Sequence, residues 1–388
     1  MYHNLEEFLS NWKSNKMYFE MLQLMASLSK LFSENSIPYL DYRLTENLFC
    51  KYYDAQNDAR LCTAYDARLA SLGIGIKTFG IQSGASTEKI AEFNKLKPQL
   101  NGLRGIDLAR KIAFFRNERM QFSNNTYDVN ETQYHIVGRQ EGLLKIFNVP
   151  YEEVNIDSIC DVSDKENSIS FNDGLNFYSF NKSKSVLLKR FVLPSDYVEV
   201  LVNIIDDLLE LLSSLINGHK SIETSALSEH KGQDYVILPL YSKRGGAVRV
   251  PERSGLNQWN AKGRPRDPNE VYIPIPKSIH KKYPEFFPKR DQPFELILPN
   301  GERLSAKVCQ EGGKALMSNP NAALGEWILR KVLRKSYGEL VTMDDLYKFG
   351  VDSVKIVSTH TANDNGEPLF KIFFMESSYE DFKAFEED

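Results

Sequence analysis

Two short apolar runs, "LCTAYDARL" and "GIGIKTF", each carry one side chain able to do chemistry, Asp66 in the first and Lys77 in the second. Each run is short enough for a β-strand, and the stretch between them is punctuated by glycine. Two strands joined there would bring the carboxylate and the ammonium group together at one edge of a sheet. Taken bare, this spacing is a weak signal, because structural ion pairs outnumber reactive ones several-fold.

A second constellation lies far along the chain. Residues 239–266 read "PLYSKRGGAVRVPERSGLNQWNAKGRPR". Lys243, Arg244, Arg249, Arg253, Lys262, Arg264 and Arg266 stand there against one acid, Glu252. Arginine forks match phosphates and guanine, while Asn257, Gln258 and Asn260 supply amide pairs suited to base edges. Trp259 can pack or stack, and Gly245, Gly246 and Gly263 permit close backbone approach. A solvated loop whose charges serve solubility is the bland alternative. The interleaving of basic, amide and aromatic residues favours nucleic acid.

The elements that must position these groups can be sketched from pattern. At 388 residues the chain exceeds one comfortable core, so two domains are expected. A hydrophobic fraction of 42% and a charged fraction of 26% are those of a soluble globular protein. Residues 1–60 read mostly as helix, with "TENLFCKYYDA" starting near Thr45 or Asn47. "STEKIAEFNKL" also reads as helix, capped by Ser86 or Thr87 with Glu88 in its first turn. "GIDLARKIAFFRNERM" is another, whose Arg104, Arg110, Lys111, Arg116 and Arg119 could line a DNA path or simply be solvated. From Tyr134 the texture turns to strands, with a hairpin at Asn172, Asp173 and Gly174. Ser195 then opens a long amphipathic helix over 196–216. Prolines from Pro239 to Pro299 forbid long helices and favour a small barrel or sandwich. The expected division is 1–217, a linker at 218–233, and 234–388.

Several classes are excluded. The 4 cysteines form no CxxC pair, which argues against a zinc site and fits a reducing cytoplasm. The N-terminus lacks a secretory pattern, and the most apolar run carries Glu199, Asp206, Asp207 and Glu210. "GIGIKT" fails Walker A because Ile76 precedes the lysine. None of the 6 histidines opens an HxKxxxxD signature; at His280 the final position is Phe287. This excludes the phospholipase-D-like nuclease mechanism.

The stretch from Ser254 to Leu333, with "GRPRDPNEVYIPIPKSIHKKYPEFFPKRDQPFELILPNGERLSAKVCQEGGKALMSNPN" at its centre, resembles the DNA-binding pseudobarrel of certain bacterial restriction endonucleases. That domain is related to the plant B-three domain, and the likeness covers roughly 235–375. It implies a seven-stranded open barrel with two arms that clamp the major groove. The first arm would be Ser242–Arg266. The second would be "GKALMSNPN", with Lys314, Ser318, Asn319 and Asn321 facing DNA. "YDARLASLGIGIKTF", "EKIAEFNKL", "FFRNERM", "YHIVGR" and "YSFNKSKSVLLKRF" resemble the nuclease half of restriction endonucleases over roughly 35–195.

Nucleases of the PD-(D/E)XK type hold an aspartate on one strand and an acid-x-lysine on the next. By this resemblance Asp66 ligates Mg²⁺ and Lys77 serves the attacking water. The pattern wants an acid at position 75, where this chain has glycine, so a second ligand must come from Glu46 or Glu92 on flanking helices. The fold implied is an α/β (α+β) nuclease domain followed by a mainly-β pseudobarrel. The function implied is a type II restriction endonuclease leaving 5′-phosphate ends, with a homodimer and a cognate DNA methyltransferase as partners. A modification-dependent nuclease and a non-enzymatic DNA-binding regulator are the alternatives.

Overall fold

The computed structural model describes residues 4–208, 235–244 and 247–377. It divides into two compact units, Met1–Asn117 with Val129–His230, and Glu118–Asp128 with Lys231–Asp388. The expected linker 218–233 and the end of the expected helix 196–216 lie outside the described residues.

In the first unit, helices α1 (Leu5–Asn11), α2 (Lys16–Ser27) and α3 (Tyr42–Tyr53) precede the sheet. Asn4 caps α1 by accepting from the Glu7 N–H at 2.9 Å. Asp41 caps α3 by accepting from Arg43 and Leu44 at 2.8 and 3.2 Å, so this helix starts before Thr45 and Asn47. The main sheet has strands β1 (Gln56–Asn57), β2 (Ala67–Leu69), β3 (Leu72–Gly80), β5 (Glu131–Gln140), β6 (Leu143–Pro150) and β11 (Val198–Leu201), in that order. β2 and β3 are antiparallel, while β3 and β5 are parallel. A parallel pair needs a crossover, and the chain between them contains α5 (Gly105–Tyr127).

Leu72, Ile74 and Ile76 of β3 pack into a core with Phe8, Trp12, Tyr18 and Phe49. Buried His135 belongs to this region as a structural residue. Its Nε2 meets the Tyr18 hydroxyl at 2.9 Å, its Nδ1 meets Asn148 at 2.8 Å, and burial lowers its pKa to about 4.

A second sheet orders β4 (Ala85–Glu92), β10 (Val186–Val192), β9 (Phe177–Asn181), β8 (Ser168–Asn172) and β7 (Cys160–Asp164). Here the helix expected at "STEKIAEFNKL" is corrected. Its residues up to Glu92 form β4, because the ladder from Ala85↔Val192 to Glu92↔Val186 satisfies the backbone better than a local cap could, and only Asn94–Leu96 make a single 3-10 turn. The helix expected from Ser195 is likewise corrected, since Val198–Leu201 pairs with β6. The hairpin at Asn172–Gly174 forms as expected. Asp173 organises it by accepting from the Leu175 and Asn176 N–H groups at 3.1 and 2.7 Å.

The second unit holds one curled seven-stranded sheet of order β12-β19-β20-β16-β17-β18-β15. Its strands are β12 (Tyr235–Pro239), β15 (Ile273–Pro274), β16 (Pro293–Ile297), β17 (Arg303–Cys309), β18 (Ala315–Ser318), β19 (Ser353–Ala362) and β20 (Pro368–Met375). Between β12 and β15 a separate ribbon pairs β13 (Ser242–Arg244) with β14 (Ala247–Arg249). The predicted helix at "ALGEWILRKVL" winds widely, with Leu333 N–H donating to Ile328 O at 2.9 Å. Among the described residues no helix is long and apolar enough to cross a membrane.

Candidate active site and DNA-binding surface

Asp66 stands one residue before β2, and its backbone N–H donates to Ile74 O at 2.9 Å. Its Oδ2 accepts from the Ile76 N–H at 2.7 Å, which fixes the carboxylate against the catalytic-candidate strand. Lys77 Nζ lies 3.7 Å from that oxygen, with the two side chains 31% and 23% exposed. The strand pair thus brings Asp66 and Lys77 together, as the sequence predicts. Asp66 Oδ1 accepts no hydrogen bond from the described residues.

Glu46 is held by α3 and is only 5% exposed. Its Oε2 accepts from Arg43 at 2.9 Å, a helix neighbour three residues back. Burial raises its pKa, the charge of Asp66 raises it further, and Arg43 and Lys77 oppose the shift. Glu46 therefore feels both members of the strand pair. Glu92 sits elsewhere, at the end of β4 in the second sheet, where Lys89 and Asn94 engage its two oxygens. It is on a strand and not on the helix expected to carry it.

Position 75 has a physical reason to be glycine. A Cβ there would lie 2.7 Å from the Tyr151 ring and 2.8 Å from the Tyr134 ring. Those rings stack at 3.8 Å with an interplanar angle of 10°, and the Tyr151 hydroxyl donates to Ala64 O at 2.6 Å. Gly73 is similarly required, since a Cβ would lie 2.8 Å from the Tyr65 ring. Aromatic rings thus fill the space that an acid at position 75 would need.

The donor chemistry suits a hard divalent cation. Asp66 and Glu46 each present one carboxylate oxygen that accepts no hydrogen bond from the described residues, and a cation would relieve their mutual repulsion. Among the described residues no group of three His, Cys, Asp or Glu side chains forms a metal cage. Mg²⁺ does not demand one, because it commonly takes one or two carboxylates and completes its shell with water and phosphate oxygens.

Of the basic residues read as a possible DNA path, Arg110, Lys111, Arg116 and Arg119 lie on α5 and Arg104 just before it, and one of them is removed from that path. Arg116 is 3% exposed and lies over the Tyr151 ring at 4.9 Å. Arg104 and Arg110 are exposed.

In the second unit the basic arm separates into anchors and exposed cations. Asn257 is fully buried, donating to Pro251 O and Val341 O and accepting from the Val341 N–H, all at 2.9–3.0 Å. Gln258 donates to Glu270 at 3.1 Å and Asn260 to Glu252 O at 2.9 Å. Trp259 is half-buried. Glu270 also receives Arg264 at 2.5 Å and Arg266 at 2.6 Å. The expected base-reading amides Asn257 and Gln258 are therefore structural, and part of the arm's charge is neutralised by Glu270, four residues beyond Arg266. Lys243, Arg249, Arg253 and Lys262 are exposed, and the side chain of Arg244 lies outside the described residues. The paired strands β13 and β14 present Lys243 and Arg249 on a ribbon.

The second arm is corrected in form. Ala315–Ser318 is a wholly buried strand, with Lys314 before it and Asn319 and Asn321 after it. Ser318 is buried, accepting from the Leu324 N–H and donating to Pro320 O, both at 2.8 Å. Lys314, Asn319 and Asn321 are exposed, but at opposite ends of β18. Arg43 and Glu270 were not singled out in the sequence; only their spacing from Glu46 and Arg266 along the chain signals them.

No curated protein matches the chain. Residues 230–360, which take in the basic arm and the curled sheet up to most of β19, match the family described as the NgoFVII C-terminal B3-like DNA-binding domain.

Proposed function

We propose that this protein is a restriction-type endonuclease that hydrolyses phosphodiester bonds of double-stranded DNA at sites selected by its B3-like domain. The observation that carries the reading is Lys77 at 3.7 Å from Asp66, with buried Glu46 electrostatically coupled to both, in a chain that also carries a DNA-binding domain. Asp66 and Glu46 would hold Mg²⁺, which supplies charge neutralisation at the scissile phosphate and a more acidic water. Lys77 orients that water by donating to it and offsets the negative charge that grows during attack. The Ile76 N–H keeps the Asp66 carboxylate aimed, and Arg43 does the same for Glu46. The products would carry 5′-phosphate ends. Cutting both strands calls for two copies of the site, hence a homodimer, and host DNA would need a protecting methyltransferase.

Purified protein incubated with plasmid and Mg²⁺ tests this. Linear products with a defined end sequence are expected, and their loss in Asp66→Asn and Lys77→Ala with DNA binding retained. DNA binding that survives EDTA without any Mg²⁺-dependent cleavage would instead make the protein a regulator. Cleavage of methylated DNA alone would make it modification-dependent.

A further inference from the structure

The charge already present around Asp66 and Glu46 limits how many cations join them. Asp66 Oδ2 accepts from the Ile76 N–H at 2.7 Å and faces Lys77 Nζ at 3.7 Å, while Glu46 Oε2 accepts from Arg43 at 2.9 Å. Each carboxylate thus has one oxygen turned to a cationic side chain. Two carboxylates against one ammonium and one guanidinium group are neutral before any metal binds. One divalent cation makes the group doubly positive, an excess that the scissile phosphate and its neighbours on the strand can offset. A second doubles that excess within the same few ångströms.

Ligands are as limiting as charge. Paired catalytic ions stand about 3.5–4 Å apart, and a carboxylate with both oxygens available is the simplest bridge between them. Neither Asp66 nor Glu46 has both available, because Lys77 or Arg43 covers one side of each. No further acid can come from β3, where a Cβ at Gly75 would lie 2.7 Å from the Tyr151 ring and 2.8 Å from the Tyr134 ring. Glu92 belongs to the second sheet and is engaged by Lys89 and Asn94. Among the described residues no group of three His, Cys, Asp or Glu side chains supplies a larger cage.

On the nuclease reading, on which this rests, we infer that each copy of the site takes a single divalent cation, bound through the oxygens of Asp66 and Glu46 that Ile76 and Arg43 leave unengaged. Lys77 and Arg43 then serve as fixed positive charges in place of a second ion. Mn²⁺, followed by electron paramagnetic resonance on the full chain without DNA, tests this. The wild type should hold one more ion per chain than Asp66→Asn or Glu46→Gln, with the signal of an isolated ion. Each of those changes should weaken the site at least about tenfold, the worth of one charged partner. Lys77→Met should bind the ion more tightly, because a like charge is removed, while losing cleavage. On plasmid, first-strand nicking should rise with the first power of Mg²⁺ concentration below saturation. Two more ions than Asp66→Asn, the broadened signal of a coupled pair, or nicking that rises with the square of Mg²⁺ would overturn the single-ion site and leave the nuclease reading standing. Equal Mn²⁺ binding in the wild type, Asp66→Asn and Glu46→Gln would overturn the reading itself. Weaker binding in Lys77→Met would make the lysine a support of the metal and overturn its role in place of a second ion.

Discussion

Placing a carboxylate at position 75, where the nuclease pattern wants one, is expected to damage this protein. A Cβ added to Gly75 would lie 2.7 Å from Tyr151 Cε1 and 2.8 Å from Tyr134. Carbon atoms settle at about 3.5–4.0 Å, so the rings would have to retreat by roughly 0.8 Å. They have little room to do so. Both are almost fully buried, stacked on each other, and Tyr151 is tied to Ala64 O and lies beneath Arg116. Overpacking of this kind costs about 1–3 kcal/mol for Gly75→Ala. For a unit of this size each kcal/mol moves the midpoint by about 2–4 °C, so Tm should fall by about 2–12 °C. Gly75→Glu should fall further and gain no activity, because its side chain would meet rings before it could reach a cation at Asp66. Differential scanning calorimetry reads the first effect and a plasmid cleavage assay the second. A Gly75→Glu variant that melts at the wild-type temperature and cuts faster would refute the reasoning, for it would mean the rings yield and an acid is merely missing.

Glu46→Gln should abolish cleavage, while Glu92→Gln should leave most of it, as measured by initial rates at saturating Mg²⁺. The same Glu46→Gln change should raise metal-free stability at neutral pH. Its folded pKa is raised by burial and by Asp66, so ionisation is penalised above that pKa, and the penalty vanishes as pH falls below the ordinary carboxylate value. At Lys189, burial and then Arg116 lower the pKa to about 8, opposed by Glu152 and Asp173. The penalty holds below that value and lifts as pH rises toward 10.5, so Lys189→Met should stabilise the unliganded protein at pH 7 by about 3 kcal/mol and much less at pH 10. In the arm, Arg249→Ala should weaken DNA affinity across sequences and flatten the slope of log affinity against log salt by about 1. Asn257→Ala should instead lower Tm, since it leaves the Val341 N–H and the Val341 carbonyl without partners.

Local pattern and chemistry were legible where neighbours in sequence are neighbours in space. The strand pair around Asp66 and Lys77, the α3 helix and the hairpin at Asn172–Gly174 are of this kind. β4 was not, because Ser86, Thr87 and Glu88 look like a helix start and only the distant run Val186–Val192 makes them a strand. Burial was equally hidden. Asn257 and Ser318 read as polar groups available to DNA, but their partners, Val341 and Leu324, are set by how the chain folds back. Gly75 illustrates a third limit. Sequence shows an acid missing, while the stack of Tyr134 on Tyr151 shows why none fits.

One physical theme links two buried charges of the first unit. Natural proteins rarely bury a charge unless something completes it. Glu46 is buried beside another carboxylate, and Lys189 is buried with no carboxylate in ion-pair contact among the described residues, Glu152 and Asp173 only opposing its depressed pKa from a distance. Neither arrangement stabilises the chain by itself, and a cation would relieve the first. The same stack serves both, since Tyr134 lies against Gly75 of the catalytic-candidate strand and under the ammonium group of Lys189. Mg²⁺ or Ca²⁺ should therefore raise the Tm of the wild-type protein and leave Glu46→Gln unmoved, and an equal rise in both would remove Glu46 from the proposed metal site.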